Sequence, residues 1–170
     1  LGVPGLVSAY RKGNVAIVNA MGNGVADDKA VYNYVPAMIK YYLNEEPILP
    51  NVPTYELSNA EARDFVFKNI NNMVIKHTNQ SGGYGMLMGN RTTDEEVEKF
   101  KKATEEDGRS FIAQPIIKLS TVPCFIDGKF EPRHVDLRPY ALCGPNGIEI
   151  VPGGLTRVAL KQGSLVVNSS

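Results

Sequence analysis

Long apolar runs are missing from this sequence. None approaches the roughly 20 residues that a membrane-spanning helix needs, and the chain does not open on a basic stretch followed by an apolar one, so no secretory leader is expected. Cysteine is scarce. Cys124 and Cys143 are too few for a disulfide framework and lack zinc-ligand spacing; they read as small buried hydrophobes, with an isolated bridge as the alternative. Excess charge of either sign is also absent, since Lys plus Arg equals 18 and Asp plus Glu equals 18 over 170 residues. No global positive field exists to gather nucleic acid or an anionic membrane, and neither is expected as a partner. With 43% hydrophobic and 21% charged residues, the composition excludes a largely disordered chain. A cytoplasmic globular protein of one domain or two small lobes is expected.

The chain opens on Leu1 and closes on Asn168-Ser169-Ser170 directly after an apolar run, and so reads as a segment of a longer protein. Residues 14–19 read as a short buried strand. Asp27-Asp28-Lys29 opens a helix through about residue 43, with acids where the helix dipole favours them and Pro36 expected to break or kink it. Residues 44–55 carry three prolines and read as an extended link between lobes. Ser58-Asn59-Ala60-Glu61 has the form of a capping box for a helix reaching about Ile70, with Ala62, Phe65, Val66 and Ile70 on one face. A strand at 73–76, a glycine loop and a strand at 86–88 follow. Thr93-Asp94-Glu95-Glu96 starts another helix, with Glu95 facing Lys99 and Glu98 facing Lys102. Beyond residue 109 the texture is β, with strands expected at 111–117, 124–126, 133–142, 147–151, 155–160 and 164–167. Asp127-Gly128 signals a type I′ hairpin turn and Pro145-Asn146-Gly147 another turn. The class is α+β with mainly antiparallel sheets: the end of a preceding α/β lobe over 1–50, a small lobe over 51–108, and an incomplete antiparallel sheet lobe over 109–170.

Three local features could carry chemistry. Lys76 ends a strand and is followed by Ser81-Gly82-Gly83-Tyr84-Gly85; glycines let backbone N–H groups approach phosphate oxygens and a lysine adds a compact positive charge. A plain hairpin with a flexible tip explains the same residues equally well. Arg133-His134-Val135-Asp136-Leu137-Arg138 alternates so that His134, Asp136 and Arg138 share one strand face, which suits either a site or a salt-bridged surface strand. Gly153-Gly154-Leu155-Thr156-Arg157 places an arginine after a glycine pair, where it could reach an anion or simply end a turn. His77 and His134 without a clustered acid make a poor zinc case.

In order along the chain, these segments resemble the circularly permuted ATP-grasp family: Leu1-Gly2-Val3-Pro4-Gly5-Leu6-Val7, Arg11-Lys12-Gly13-Asn14-Val15, Gly24-Val25-Ala26-Asp27-Asp28-Lys29-Ala30, Ser81-Gly82-Gly83-Tyr84-Gly85-Met86, Arg133-His134-Val135-Asp136-Leu137-Arg138-Pro139 and Pro152-Gly153-Gly154-Leu155-Thr156-Arg157-Val158-Ala159-Leu160. The resemblance implies an ATP-grasp-like fold of two small lobes around a nucleotide cleft, similar to glutathionylspermidine synthase. It also implies a role for each matching residue. Lys76 would contact the nucleotide phosphates, and Ser81, Gly82, Gly83, Tyr84 and Gly85 would form the glycine loop over them. Gln114 and Pro115 would pass the adenine edge. Asp136 and Arg138 resemble the Asp-x-Arg strand of the fold, Arg157 would face the transferred phosphate, and Asn168 would begin a longer polar element. ATP and Mg²⁺ are the implied cofactors, with the Mg²⁺ ligands expected outside this segment. The implied activity is an ATP-dependent carboxylate–amine ligase working through an acyl-phosphate on small-molecule or peptide carboxylates and amines. A catalytically silent nucleotide-binding or scaffold module is the alternative, and a phosphotransferase without ligation a third.

Overall fold

The computed structural model describes residues 3–19, 21–80 and 85–167. They form two compact units that divide between Pro115 and Ile116. The proline-bearing stretch at 44–54 lies inside the first unit.

The first unit is built on a four-stranded antiparallel sheet. Its strands are β1 (Tyr55–Glu56), β2 (Met73–His77), β3 (Leu87–Met88) and β4 (Phe111–Pro115), arranged in the order β1-β4-β2-β3. Strand alternation gives the sheet two unlike faces. Met73 and Ile75 of β2 and Phe111 and Ala113 of β4 join Leu57, Val66 and Leu87 in the core. Helix α3 (Ala60–Lys68) contributes Val66 and Phe67 to that core, and helix α4 (Asp94–Glu106) contributes Val97, Phe100 and Ala103. The opposite face carries Val74 and Lys76 of β2, Ile112 and Gln114 of β4, and Glu56 of β1. Helix α2 (Lys29–Leu43) meets this second face through its N-terminal half. A short α1 (Leu6–Arg11) precedes it.

Helix starts follow the sequence chemistry. Thr93 and Glu96 form the reciprocal capping box of α4, and Glu95 pairs with Lys99 at 2.8 Å. Glu98 and Lys102, at the same spacing, form no ion pair. Asp28 caps α2 by accepting from the Ala30 N–H at 2.8 Å. The cap of α3 is Asn59, accepting from the Ala62 N–H, one residue later than the Ser-x-x-Glu pattern suggests. The expected face of α3 also shifts: Val66 is buried and Phe67 joins the core, while Phe65 is exposed and stacks its ring on Tyr55 at 5.1 Å.

Four expectations are corrected. Residues 14–19 form no strand, because the run finds no partner strand and Val18 stays in solvent. Residues 164–167 are also irregular, since Ser164 Oγ takes the Val166 N–H and offers the backbone a local alternative to a ladder. Pro36 does not break α2. A proline at this position cannot bond to the carbonyl four residues earlier, and that Tyr32 carbonyl instead accepts from Asn51 Nδ2 at 2.8 Å. Neither cysteine fills the role of a buried hydrophobe: both are free, Cys124 half-buried and Cys143 exposed.

The second unit is a three-stranded antiparallel sheet of β5 (Thr121–Ile126), β6 (Lys129–Gly144) and β7 (Gly147–Val158), in that order. Asp127 and Gly128 have φ of 49° and 81°, as a type I′ turn requires. The first half of β6 pairs with β5 and the second half with β7. The two expected strands at 147–151 and 155–160 are one continuous β7. The Gly153-Gly154 pair that separates them in sequence sits at the register shift between Pro139 and Ala141. A Cβ on Gly154 would meet the Arg138 carbonyl oxygen at 2.7 Å, so glycine here permits close strand approach.

A similar restriction holds in the first unit. A Cβ at Gly89 would lie 1.7 Å from the Ile70 carbonyl oxygen. Gly89→Ala must therefore displace backbone, and we expect a loss of about 3 kcal/mol in urea unfolding. A loss below about 0.5 kcal/mol would mean that this close approach is not maintained in solution.

Candidate functional site

Lys76 stands near the end of β2 on the sheet face turned away from the core, and β4 sets its neighbour. The register pairs Lys76 with Ile112 and Val74 with Gln114, so Lys76 and Gln114 lie diagonally on one face. Lys76 Nζ donates to Gln114 Oε1 at 2.8 Å. Gln114 Nε2 in turn donates to Thr54 Oγ1 at 3.0 Å, and the Thr54 hydroxyl donates to the Val52 carbonyl at 3.0 Å. This chain fixes which way the Gln114 amide points.

A second lysine joins them. Lys29, the first residue of α2, donates from Nζ to the Thr78 carbonyl at 3.3 Å and to the Gln80 carbonyl. Its backbone N–H also bonds the Thr78 carbonyl at 3.0 Å. These contacts fasten the start of α2 to the chain that leaves β2. Burial pushes the Lys76 ammonium below the ordinary lysine range, and the charge of Lys29 pushes it further. Burial likewise lowers Lys29, against the opposing pull of Asp28 and Asp27. No carboxylate among the described residues reaches ion-pair distance of Lys76. A half-buried cation held only by a neutral amide, beside a second cation, is matched to an anion rather than to a metal.

Of the sequence-predicted residues, Lys76 and Gln114 are thus brought together. Pro115 ends the same strand, opposite Met73. Gly85 has φ of 62°, and a Cβ there would meet Gln80 Oε1 at 2.5 Å. Ser81, Gly82, Gly83, Tyr84 and Asn168 lie outside the described residues. Asp136, Arg138 and Arg157 belong to the second unit. Asp136 and Arg157 are register partners on β6 and β7. The guanidinium grips the carboxylate side-on, with Nε donating to Oδ1 at 2.9 Å and Oδ2 at 3.1 Å and Nη2 donating to Oδ2. These bonds hold the Asp136 carboxyl below its ordinary range, with the charges of Arg157 and Arg138 adding to the effect. Arg138 is exposed. His134 Nδ1 donates to the Leu119 carbonyl at 2.9 Å, which commits it to the backbone. Among the described residues no group of three His, Cys, Asp or Glu could hold a metal ion. They do not fit Mg²⁺.

The model of the family described as "Circularly permuted ATP-grasp type 2" matches residues 1–159. The chain belongs to the circularly permuted ATP-grasp family. It is 54% identical over 170 residues to an uncharacterized protein of Synechocystis sp., covering all of this chain and 35% of that protein. It is 51% identical over 170 residues to an uncharacterized protein of Mycobacterium tuberculosis, again covering all of this chain and 31% of the relative. A Frankia alni protein named "Putative glutamate--cysteine ligase 2-3" is 41% identical over 167 residues, which cover 98% of this chain and 19% of that protein. The chain therefore spans about a third of the first two. No described helix is long and apolar enough to cross a membrane.

Lys29 and Thr54 are the members of this candidate site that sequence reasoning missed. The signal for Lys29 was present in Asp27-Asp28-Lys29, but those residues were fully accounted for as a helix start.

The depressed lysines give a pH signature. In the folded state Lys76 loses its proton below the 10.5 of an ordinary lysine, so between the lowered value and 10.5 the unfolded chain binds more protons and stability rises with pH. Below that window the full cost of burying the charge is present. Relative to a Lys76→Met variant, the wild-type chain should gain stability as pH climbs from neutrality toward 10.5. Parallel urea-unfolding curves for the two proteins would contradict the depressed lysine.

Proposed function

We propose that this chain is the nucleotide-binding part of an ATP-dependent carboxylate–amine ligase acting through an acyl-phosphate. The observation that carries the reading is the Lys76–Gln114 pair with Lys29 beside it: two partly desolvated ammonium groups and, among the described residues, no carboxylate in ion-pair reach of Lys76. A polyphosphate supplies the missing negative charge. Membership of the ATP-grasp family and the ligase name of the Frankia relative support the same reading.

Lys76 and Lys29 would neutralise phosphate oxygens as point charges. The backbone at Gln114 and Pro115 would meet the adenine edge, and residues 81–85 would offer backbone N–H groups to the phosphates. A carboxylate oxygen of the acceptor attacks the γ-phosphorus, and ADP leaves with the bonding electron pair. The amine nitrogen then attacks the acyl carbon, inorganic phosphate departs, and the nitrogen gives up a proton. The protein supplies positioning and charge neutralisation. Arg138, exposed on β6, is suited to the transferred phosphoryl group. Arg157 would act from a position set by Asp136, whose carboxylate already holds its guanidinium.

Lys76→Ala in the full-length protein should weaken ATP binding by about 1.5–3 kcal/mol, the size of a charge-assisted hydrogen bond. Titration calorimetry reads this directly, and unchanged affinity would remove Lys76 from the site. Arg138→Ala should depress turnover far more than ATP affinity, the pattern of an interaction made in the transition state. ADP release, screened against pools of carboxylates and amines, decides between ligase and silent module. ATP that binds yet is never cleaved would leave only the scaffold.

A further inference from the structure

A groove of about 500 Å³ opens in the first unit, where α2, β1 and the start of α3 meet. It is lined in part by Asn33, Tyr34, Thr54, Glu56 and Ser58. Asn33 stands four residues beyond Lys29 on α2, on the same side of the helix. The carboxylate of Glu56 is held from both sides by neutral donors. Asn33 Nδ2 donates to Oε1 at 2.9 Å, and the Tyr34 hydroxyl donates to Oε2 at 3.1 Å. No basic side chain among the described residues forms an ion pair with Glu56, so its charge is oriented but uncompensated.

Three polar groups on this wall are already engaged. The Asn33 amide and the Tyr34 hydroxyl serve Glu56, and the Thr54 hydroxyl serves the Val52 carbonyl. Glu56 also raises the Tyr34 phenol above its ordinary range, first through that hydrogen bond, which keeps it a donor. Beside the exposed Ser58 hydroxyl and the second Asn33 N–H, the wall offers a visitor charged and neutral acceptors: the remaining lone pairs of Glu56 and the Asn33 amide oxygen. Tyr34 is 52% exposed beside the carboxylate. A fixed carboxylate, open acceptors and an aromatic face together are the chemistry that recognises an organic cation.

We propose that this groove is a binding site for a ligand bearing a primary ammonium group, with Glu56 as its counter-ion and the Tyr34 ring as its wall. The site borders the Lys76–Gln114 chain at Thr54, but its chemistry does not rest on the nucleotide reading. It uses neither Lys76 nor Lys29, and it would hold if the protein bound no ATP.

The test is calorimetric titration of the full-length protein at low ionic strength with n-butylammonium chloride, and with 1-butanol as a neutral mimic. The expected result is saturable one-to-one binding of the ammonium, at least tenfold tighter than the alcohol. Glu56→Gln keeps the shape and removes the charge, and should cost tenfold or more in affinity. Tyr34→Leu, which leaves the carboxylate in place, should cost several-fold and serves if Glu56→Gln does not fold. Equal binding of ammonium and alcohol, absence of saturable binding, or unchanged affinity in a folded Glu56→Gln protein would each overturn the proposal. In that event Glu56 only ties α2 to β1.

Discussion

Five residue pairs between β2 and β4 decide where every other side chain of the first unit goes. The register sets Ile75 opposite Ala113 and Val74 opposite Gln114. Because side chains alternate strictly along a strand, a slip of one residue would send Lys76 into the core and Ile75 out of it. Burial of Ile75, Ala113, Phe111 and Met73 against α3 and α4 opposes that slip. At roughly 25 cal/mol per Å² of apolar surface, a single fully buried isoleucine is worth about 2 kcal/mol. The hydrophobic face thus holds the polar face in place, and the lysine–glutamine pair inherits its position from packing it takes no part in.

Electrostatics then divides the two units by different means. In the second unit, charge is compensated within the sheet: Asp136 and Arg157 face each other across β6 and β7, and Lys129, Glu131 and Arg133 form a second network on β6 itself. On the polar face of the first unit, charge is left open. Two lysines are partly desolvated, with their ammonium hydrogen bonds going to an amide and to carbonyls, and Glu56 is answered by an amide and a phenol. Neutral partners orient a charge without cancelling it. That difference is what the proposed lysine and glutamate sites of the first unit rest on.

Much of this was legible in the sequence where local chemistry is decisive. The capping box at Thr93, the Asp127-Gly128 turn, the strand read at 73–76 and extended by one residue in β2, and the antiparallel pairing each follow from short-range rules. The failures share one cause, which is that partners are not written locally. Residues 14–19 have strand composition but no neighbour to pair with. The Gly153-Gly154 pair reads as a break until the Arg138 carbonyl is seen pressed against it. Lys76 and Gln114 were each singled out, yet their contact across 38 positions depends on register. Lys29 was hidden behind its own helix-start chemistry.

Pro36 shows how an apparent fault becomes a connector. By withholding one N–H it releases the Tyr32 carbonyl, which Asn51 captures, while the Tyr32 hydroxyl accepts from the Val52 N–H at 2.7 Å. One tyrosine thus anchors the proline-bearing segment at both its backbone and its ring. A better helix former at position 36 would bring a helix N–H to compete with Asn51 for that carbonyl. Positions 36 and 51 are therefore joined as a lock and its key, and an exchange that improves the helix alone would weaken the seam that leads into β1.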